Sequence, residues 1–326
     1  MNPTDVTASA FPCMRKSHNN TFFEITFKIP DFTGIFDRKR KGAGNMRVKI
    51  SADSTCDLPP EIIERYNIGL TLLYIIMDDK PYKDRLEISV NDIFDYVNSG
   101  KGITRSNAIN ISEYQEYFKE WLKEYDAIVH LNISSFFSAC NQSAKIAAED
   151  FDNVFVVDSM NLSTGSGHLV LDAAIMAENG MAPEEIVAEL EKMIPKVDAS
   201  FVIGTLKFLH LGGRCSGLAA LGANLLKLNP CIEVVNGKME VAKKYRGAFN
   251  KIILQYVEDR LTDNENIDPK RIFVTYPPTM PDELIAKIVE KIKSIREFDE
   301  IVCSQAGCVI SNHCGPICVG ILYYRK

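Results

Sequence analysis

From Arg47 onward, short β-branched runs alternate with amphipathic stretches, a rhythm that predicts parallel strands joined by crossover helices. A strand is expected over 48–51, followed by Asp53, Ser54 and Thr55 as turn and cap residues. Pro59 and Pro60 suit a first helical turn that 61–66 continues. Further strands are expected over 70–77, 127–132 and 153–157. Between them Tyr114, Phe118, Trp121, Leu122 and Tyr125 fall at i, i+4, i+7, i+8 and i+11, the apolar stripe of a helix lying on the sheet. That stripe reads as core and not as a ligand box.

The pattern changes near Pro195. A strand over 201–205 and a small-residue helix over 218–228 precede two runs, 231–235 and 239–243, that flank Asn236-Gly237, the pair preferred in a two-residue hairpin turn. A helix over 281–295 and two strands over 301–303 and 317–324, separated by a glycine-bearing loop, close the chain. The expected fold is therefore α/β in two domains: an N-terminal parallel-sheet α/β domain over 46–198 and a C-terminal α+β domain over 199–326. Residues 1–45, with Asn19, Asn20, Gly34, Gly42, Gly44 and the basic cluster 38–41, hold no sustained pattern. They read as a disordered leader or a misassigned start before Met46.

Composition narrows the function. A chain of 326 residues with 46% hydrophobic and 25% charged residues has the balance of a soluble globular protein and length for two domains, with room to bury a lipid. The net charge of −6 argues against binding nucleic-acid backbones, which takes a concentrated basic surface. No apolar run approaches the ~18 residues of a transmembrane segment. Without an apolar h-region at the N-terminus a cytosolic location is expected, and the nine cysteines should be reduced thiols.

Three segments rich in small hydroxyl residues, 102–108, 133–144 and 157–167, lie beside expected strands. At the carboxyl edge of an open α/β sheet such segments converge where ligands bind. Ser134 and Ser135, between a strand and a helix, either hold an anion at the helix start or only cap the helix. Cys303, Cys308, Cys314 and Cys318 cluster in sequence with His313, but their spacing does not match paired zinc motifs, and no metal is expected. An enzyme, a hydrolase or phosphotransferase working through Asp53, Ser54 or a paired serine, is the alternative. It lacks a nucleophile elbow, since Thr164 and His168 flank Ser166 where glycines belong, and His130 and His168 read as structural. Walker and kinase glycine loops are absent.

Several motifs occur in an order and spacing that resemble the DegV family. They are Asp53-Ser-Thr-Cys-Asp57-Leu-Pro59, the loop 101–108 with Thr104, Ser134-Ser135 with Ser138 and Gln142-Ser-Ala144, and Val157-Asp-Ser159 with Gly165 and Gly167. Then follow Leu211-Gly-Gly-Arg214-Cys-Ser216-Gly217, Lys244-Tyr-Arg246-Gly247 and His313-Cys-Gly-Pro316. The resemblance covers 46–326. It implies a two-domain DegV-like fold that holds a long-chain fatty acid such as palmitate in a tunnel between the domains, without catalysis or cofactor. The carboxylate would lie at Thr104, Ser134, Ser135 and His313, the last in a loop. It further implies presentation of the acid to a separate ATP-dependent fatty acid kinase, for acyl-phosphate formation and phospholipid synthesis, with Arg214 and Arg246 as partner or phosphate contacts. Neutral donors of ~1 kcal/mol each suit a carrier that must release its cargo, whose affinity comes mainly from ~0.8 kcal/mol per buried methylene. Departures from the family pattern sit at the expected mouth: Arg105 and Ser106 after Thr104, Phe136 and Ala139 where glycines are usual, and Ile317. Arg105 would pair with the carboxylate or else keep a surface role, and Phe136 would narrow the tunnel or shift the chain preference.

Overall fold

A computed structural model describes residues 46–214 and 228–326. The expected leader, Cys215, Ser216 and Gly217, and all but the last residue of the helix expected over 218–228 lie outside the described residues. Leu228 itself opens a strand.

The first sheet is wholly parallel, as the alternating pattern predicts. β1 (Val48–Asp53) leads through a 3-10 turn into α1 (Pro60–Arg65) and β2 (Gly69–Thr71), which pairs back on β1. The expected strand over 70–77 is broken. β2 joins the parallel sheet, while β3 (Tyr74–Met77) joins β4 (Lys80–Lys83) and β5 (Arg105–Asn107) in a separate antiparallel sheet of order β4-β3-β5. The break is made by polar partners: Leu73 N donates to Ser54 Oγ, and Leu73 O accepts from Asp84 N. α2 (Val90–Asn98) starts at a Ser89/Asp92 capping box and α3 (Ile111–Trp121) at an Asn110/Glu113 box. α3 stops at Trp121, so Tyr125 lies beyond it, but Tyr114 and Phe118 are buried as the stripe requires. β6 (Ala127–Asn132), α4 (Cys140–Ala148) and β7 (Val154–Asp158) complete the order β2-β1-β6-β7.

α5 (Ser163–Glu178) is buried from Ser163 through Ala174. It touches β1 and β6 on one side. On the other it meets β8 (Val197–Ile203), β11 (Ile267–Tyr276) and β13 (Cys318–Arg325) of the second sheet. One cluster accordingly runs through both domains, from Ile50 and Val129 through Leu169 to Phe273 and Leu322. α6 (Pro183–Met193) packs beside α5. The second sheet is mixed, with order β10-β9-β8-β13-β11-β12; only β11 and β12 (Glu300–Gln305) run parallel. β9 (Leu228–Val235) and β10 (Lys238–Arg246) form the expected hairpin, Asn236 and Gly237 both having positive φ. After the short α7 (Lys207–Leu211), α8 (Phe249–Leu261) and α9 (Asp282–Ile295) cover the outer face of this sheet. The loop expected between the last strands holds a short helix, α10 (Cys308–Cys314), so His313 is helical. Among the described residues no helix is long and apolar enough to cross a membrane.

Candidate functional site

The opening Asp-Ser-Thr motif builds the floor. Asp53 caps the 3-10 turn by accepting from Thr55 N at 3.2 Å and from the Thr55 hydroxyl. Its other oxygen accepts from Ile133 N at 2.8 Å and Asn132 Nδ2 at 3.3 Å. Burial raises its pKa, against these donors. The carboxylate thus fixes the start of the 133–139 loop, so its work is structural.

In that loop the two serines part. Ser134 is buried; its Oγ donates to Gly237 O at 2.8 Å and accepts from Phe136 N, locking the loop under the β9–β10 turn. Ser135 is exposed, with its amide 3.3 Å from both carboxylate oxygens of Asp158. Neither caps a helix, because α4 begins only at Cys140. The helix-start anion site expected from adjacency is therefore not formed. Phe136 does not narrow the interior: it is exposed, with the Lys238 ammonium 4.4 Å from its ring centroid.

Thr104 is buried and its hydroxyl donates to Asn312 Oδ1, while Ser106 Oγ lies 2.7 Å from His313 Nε2. Residues alternate along this strand, so Thr104 and Ser106 face α10 while Arg105 points the opposite way into solvent. Arg105 is thus on the face away from α10 and His313. Asn312 Nδ2 and His313 Nδ1 are buried without hydrogen-bond partners. Burial, reinforced by the nearby Arg214 charge, pushes His313 down to about 4, so it is a neutral donor or acceptor at pH 7. Arg214 donates to Phe137 O from Nε and Nη2 and to Gly212 O from Nη1, and Gly212 packs directly on the His313 ring. Through Arg214 the Ser134 loop is coupled to the Thr104–Ser106–His313 group. Arg246 is not: it is exposed at the end of β10, roughly 30 Å along the strand from the Gly237 turn.

Beside this group lies an apolar cleft lined by Leu162, Phe201, Ile310, Cys314, Cys318 and Leu322, between the second sheet, the start of α5 and α10. Four of the hydroxyls on its lining are bonded elsewhere: Ser163 on Asp57, Thr275 with Thr164, Ser200 with Tyr256, and Ser311 on Ala306 O. Its free volume is about 30 Å³, room for one water, against the ~300 Å³ or more of an ordinary ligand pocket. A larger cavity, about 200 Å³, lies on the other side of the Asn236-Gly237 turn; Asp198, Glu233 and Arg325 on its wall make it unsuited to an alkyl chain.

Two of the alternative residues for catalysis, His130 and His168, are buried in the core. His130 is fully buried, Nδ1 2.9 Å from Ser51 Oγ and Nε2 3.1 Å from Asn132 Nδ2, and burial pushes it to about 3. His168, also pushed to about 3 by burial, donates from Nε2 to Leu322 O and sits against Phe273 and Tyr324. Both are structural. Among the described residues no group of three or more His, Cys, Asp or Glu side chains is arranged to hold a metal, and the seven described cysteines are free thiols. Motif reading missed Asn312, whose signal is only its place beside His313 on a helix that the flanking glycines disguise as a loop.

The arrangement is that of a two-domain α/β protein with neutral hydrogen-bonding groups beside an apolar cleft. The family model described as "Uncharacterised protein, DegV family" matches residues 47–326, and the chain belongs to that family. A DegV domain-containing protein of Caldanaerobacter subterraneus is 32% identical over 282 residues, 86% of this chain and 99% of that protein. Among solved structures, one described as "Fatty Acid Binding of a DegV family Protein from Thermus thermophilus" superposes with a TM-score of 0.79 at 30% identity, covering 86% of this chain and 100% of the other. DegV of Bacillus subtilis, described as a fatty acid binding protein, gives a TM-score of 0.74 at 28% identity over 86% of this chain and 100% of its own.

Proposed function

We propose that this chain binds a long-chain fatty acid, such as palmitate, and is a carrier without chemistry of its own. The alkyl chain occupies the apolar cleft, and its carboxylate is held by His313 and Asn312, by Thr104 and Ser134 once their hydroxyls turn from Asn312 Oδ1 and Gly237 O to the ligand, and by Ser135 at the solvent side. The observation that carries the reading is the pair of buried, unpartnered nitrogens, Asn312 Nδ2 and His313 Nδ1, on the helix whose other residues line an apolar cleft. A buried polar atom without a partner costs ~1–3 kcal/mol, an expense that a ligand oxygen removes. Solved relatives described as fatty acid binding support it. In the finer form of the proposal, the bound acid is presented to a separate ATP-dependent fatty acid kinase that makes the acyl phosphate for phospholipid synthesis. Arg246, exposed, then serves docking, and Arg214 steadies the phosphoryl group from its place beside His313.

The test is direct. Purified protein is denatured and extracted with organic solvent, and the extract is analysed for acyl chains by mass spectrometry. A stoichiometric fatty acid is expected. An empty protein that added fatty acids do not stabilise against heat overturns the carrier. For the partnership, Arg214→Glu and Arg246→Glu should each reduce acyl-phosphate formation with the kinase and ATP; unchanged turnover removes these contacts.

A further inference from the structure

Two buried carboxylates, Asp57 and Asp84, take no part in the site as described, yet both reach across to the second domain. Asp57, in the left-handed conformation with φ 48, accepts from Gly307 N at 2.8 Å and Arg85 Nη2 at 3.0 Å through Oδ1, and from Ser163 Oγ at 2.6 Å through Oδ2. Its carbonyl accepts from the Ser304 hydroxyl. Asp84 accepts from Cys308 N at 3.0 Å and Ser54 Oγ at 2.7 Å. Gly307 and Cys308 begin α10, which has no side-chain cap of its own. The first domain therefore grips α10 at both ends: at its start through Asp57 and Asp84, and at its finish through Thr104 and Ser106 on Asn312 and His313.

α10 is also one wall of the cleft, through Ile310 and Cys314. The facing wall, Phe201 and Leu322, belongs to β8 and β13 and is fixed by their ladder of backbone bonds. A cleft of about 30 Å³ admits no acyl chain until a wall moves, and α10 is the wall held by side-chain hydrogen bonds. We propose that Asp57 and Asp84 are positioning residues for the fatty acid: they latch α10 across the domain boundary, and the acyl chain exchanges when that latch releases. This rests on the carrier reading above.

The ionisable groups facing Asp57 are Arg85, Asp84 and the thiol of Cys56; Cys308 faces Asp84 and Arg85. Both thiols are pushed up by burial and stay neutral. Burial raises Asp57 to about 6, against the attraction of Arg85. A latched Asp57 thus holds its proton more tightly than one released into water, where the ordinary value is 3.8. Acid therefore favours the latched state.

The experiment loads the full chain with a fluorescent long-chain fatty acid and follows its release into excess palmitate by stopped flow at pH 7.5 and pH 5. Asp84→Asn and the milder Gly307→Ala, whose added methyl would press on Asp57 Oδ1 and Arg85 Nε at 3.2 Å, should release at least tenfold faster, with faster amide exchange at residues 307 and 308. Wild type should slow on acidification relative to Asp57→Asn, a comparison in which the ligand's own titration cancels. Release within twofold of wild type in both folded variants, together with parallel pH profiles for wild type and Asp57→Asn, overturns the latch. A wild-type chain that takes up no fatty acid overturns the carrier reading instead, and the latch with it.

Discussion

Acid should unfold this protein through three histidines that the fold keeps neutral. Burial lowers His130 and His168 to about 3 and His313 to about 4 from the ordinary 6.5. The unfolded chain therefore takes up protons as pH falls below 6.5 while the folded chain does not. By linkage, stability is full above pH 6.5 and is lost as pH drops toward 4 and 3. At pH 5 each histidine is about 1.5 units below its unfolded pKa, which at 1.36 kcal/mol per unit is about 2 kcal/mol, or about 6 for the three. Asp57 opposes this. Its raised value of about 6 means that the folded state gains as pH falls from 6 to 3.8, by about 1 kcal/mol at pH 5. These four groups alone give a loss of about 5 kcal/mol, comparable with the whole stability of an ordinary domain, and the raised pKa of buried Asp53 offsets part of it. Urea unfolding followed by the fluorescence of Trp121, the only tryptophan, measures it. His168→Gln isolates one contribution, since the amide keeps a donor for Leu322 O without titrating. Its stability curve should converge on wild type, or cross it, between pH 7.5 and 5. Parallel curves would refute the argument.

Other consequences are more local. Gly212→Ala keeps an ordinary backbone, φ −77, but its methyl would overlap His313 Nδ1. It should cost ~1–3 kcal/mol and weaken fatty-acid binding at least tenfold in a titration with a fluorescent fatty acid. Gly237→Ala meets both positive φ, 79, and Ser134 Oγ at 2.7 Å, so its thermal midpoint should fall by the equivalent of ~1–3 kcal/mol, with weaker binding. Arg105→Ala, on the solvent side of β5, should leave affinity within about twofold; a tenfold loss would return the guanidinium to the carboxylate.

What could be read in advance follows from where each element finds its partners. β6 and the Asn236-Gly237 hairpin carry their signals locally, in an apolar run and a turn pair, and formed as expected. β4 (Lys-Pro-Tyr-Lys) and β5 (Arg-Ser-Asn) have no apolar alternation and exist because β3 pairs with them. α5 was invisible as a helix because it is buried on every side, so no polar face marks its period. α10 reads as a loop in sequence because its start is bonded by Asp57 and Asp84, 250 and 224 residues away. The candidate site divided in the same way. Thr104, Ser134 and His313 were recognisable by motif, whereas the outward turn of Arg105 and Phe136 depends on strand parity and on Lys238, which no motif encodes.

The burial of α5 between the sheets has a consequence for how the molecule can be handled and inherited. Asp172 on this helix is paired with Arg271 and Lys270 of the second domain, while Leu169 and Ala173 share a cluster with β1 and β6. Neither half carries a complete interior. A gene fragment ending at residue 196 would expose the apolar and charged back of α5, and one beginning there would expose the β8–β13–β11 face that α5 covers. The two halves are therefore not interchangeable modules: recombination at their junction should give insoluble products, and a split-protein reporter would have to be cut in a surface loop well away from it.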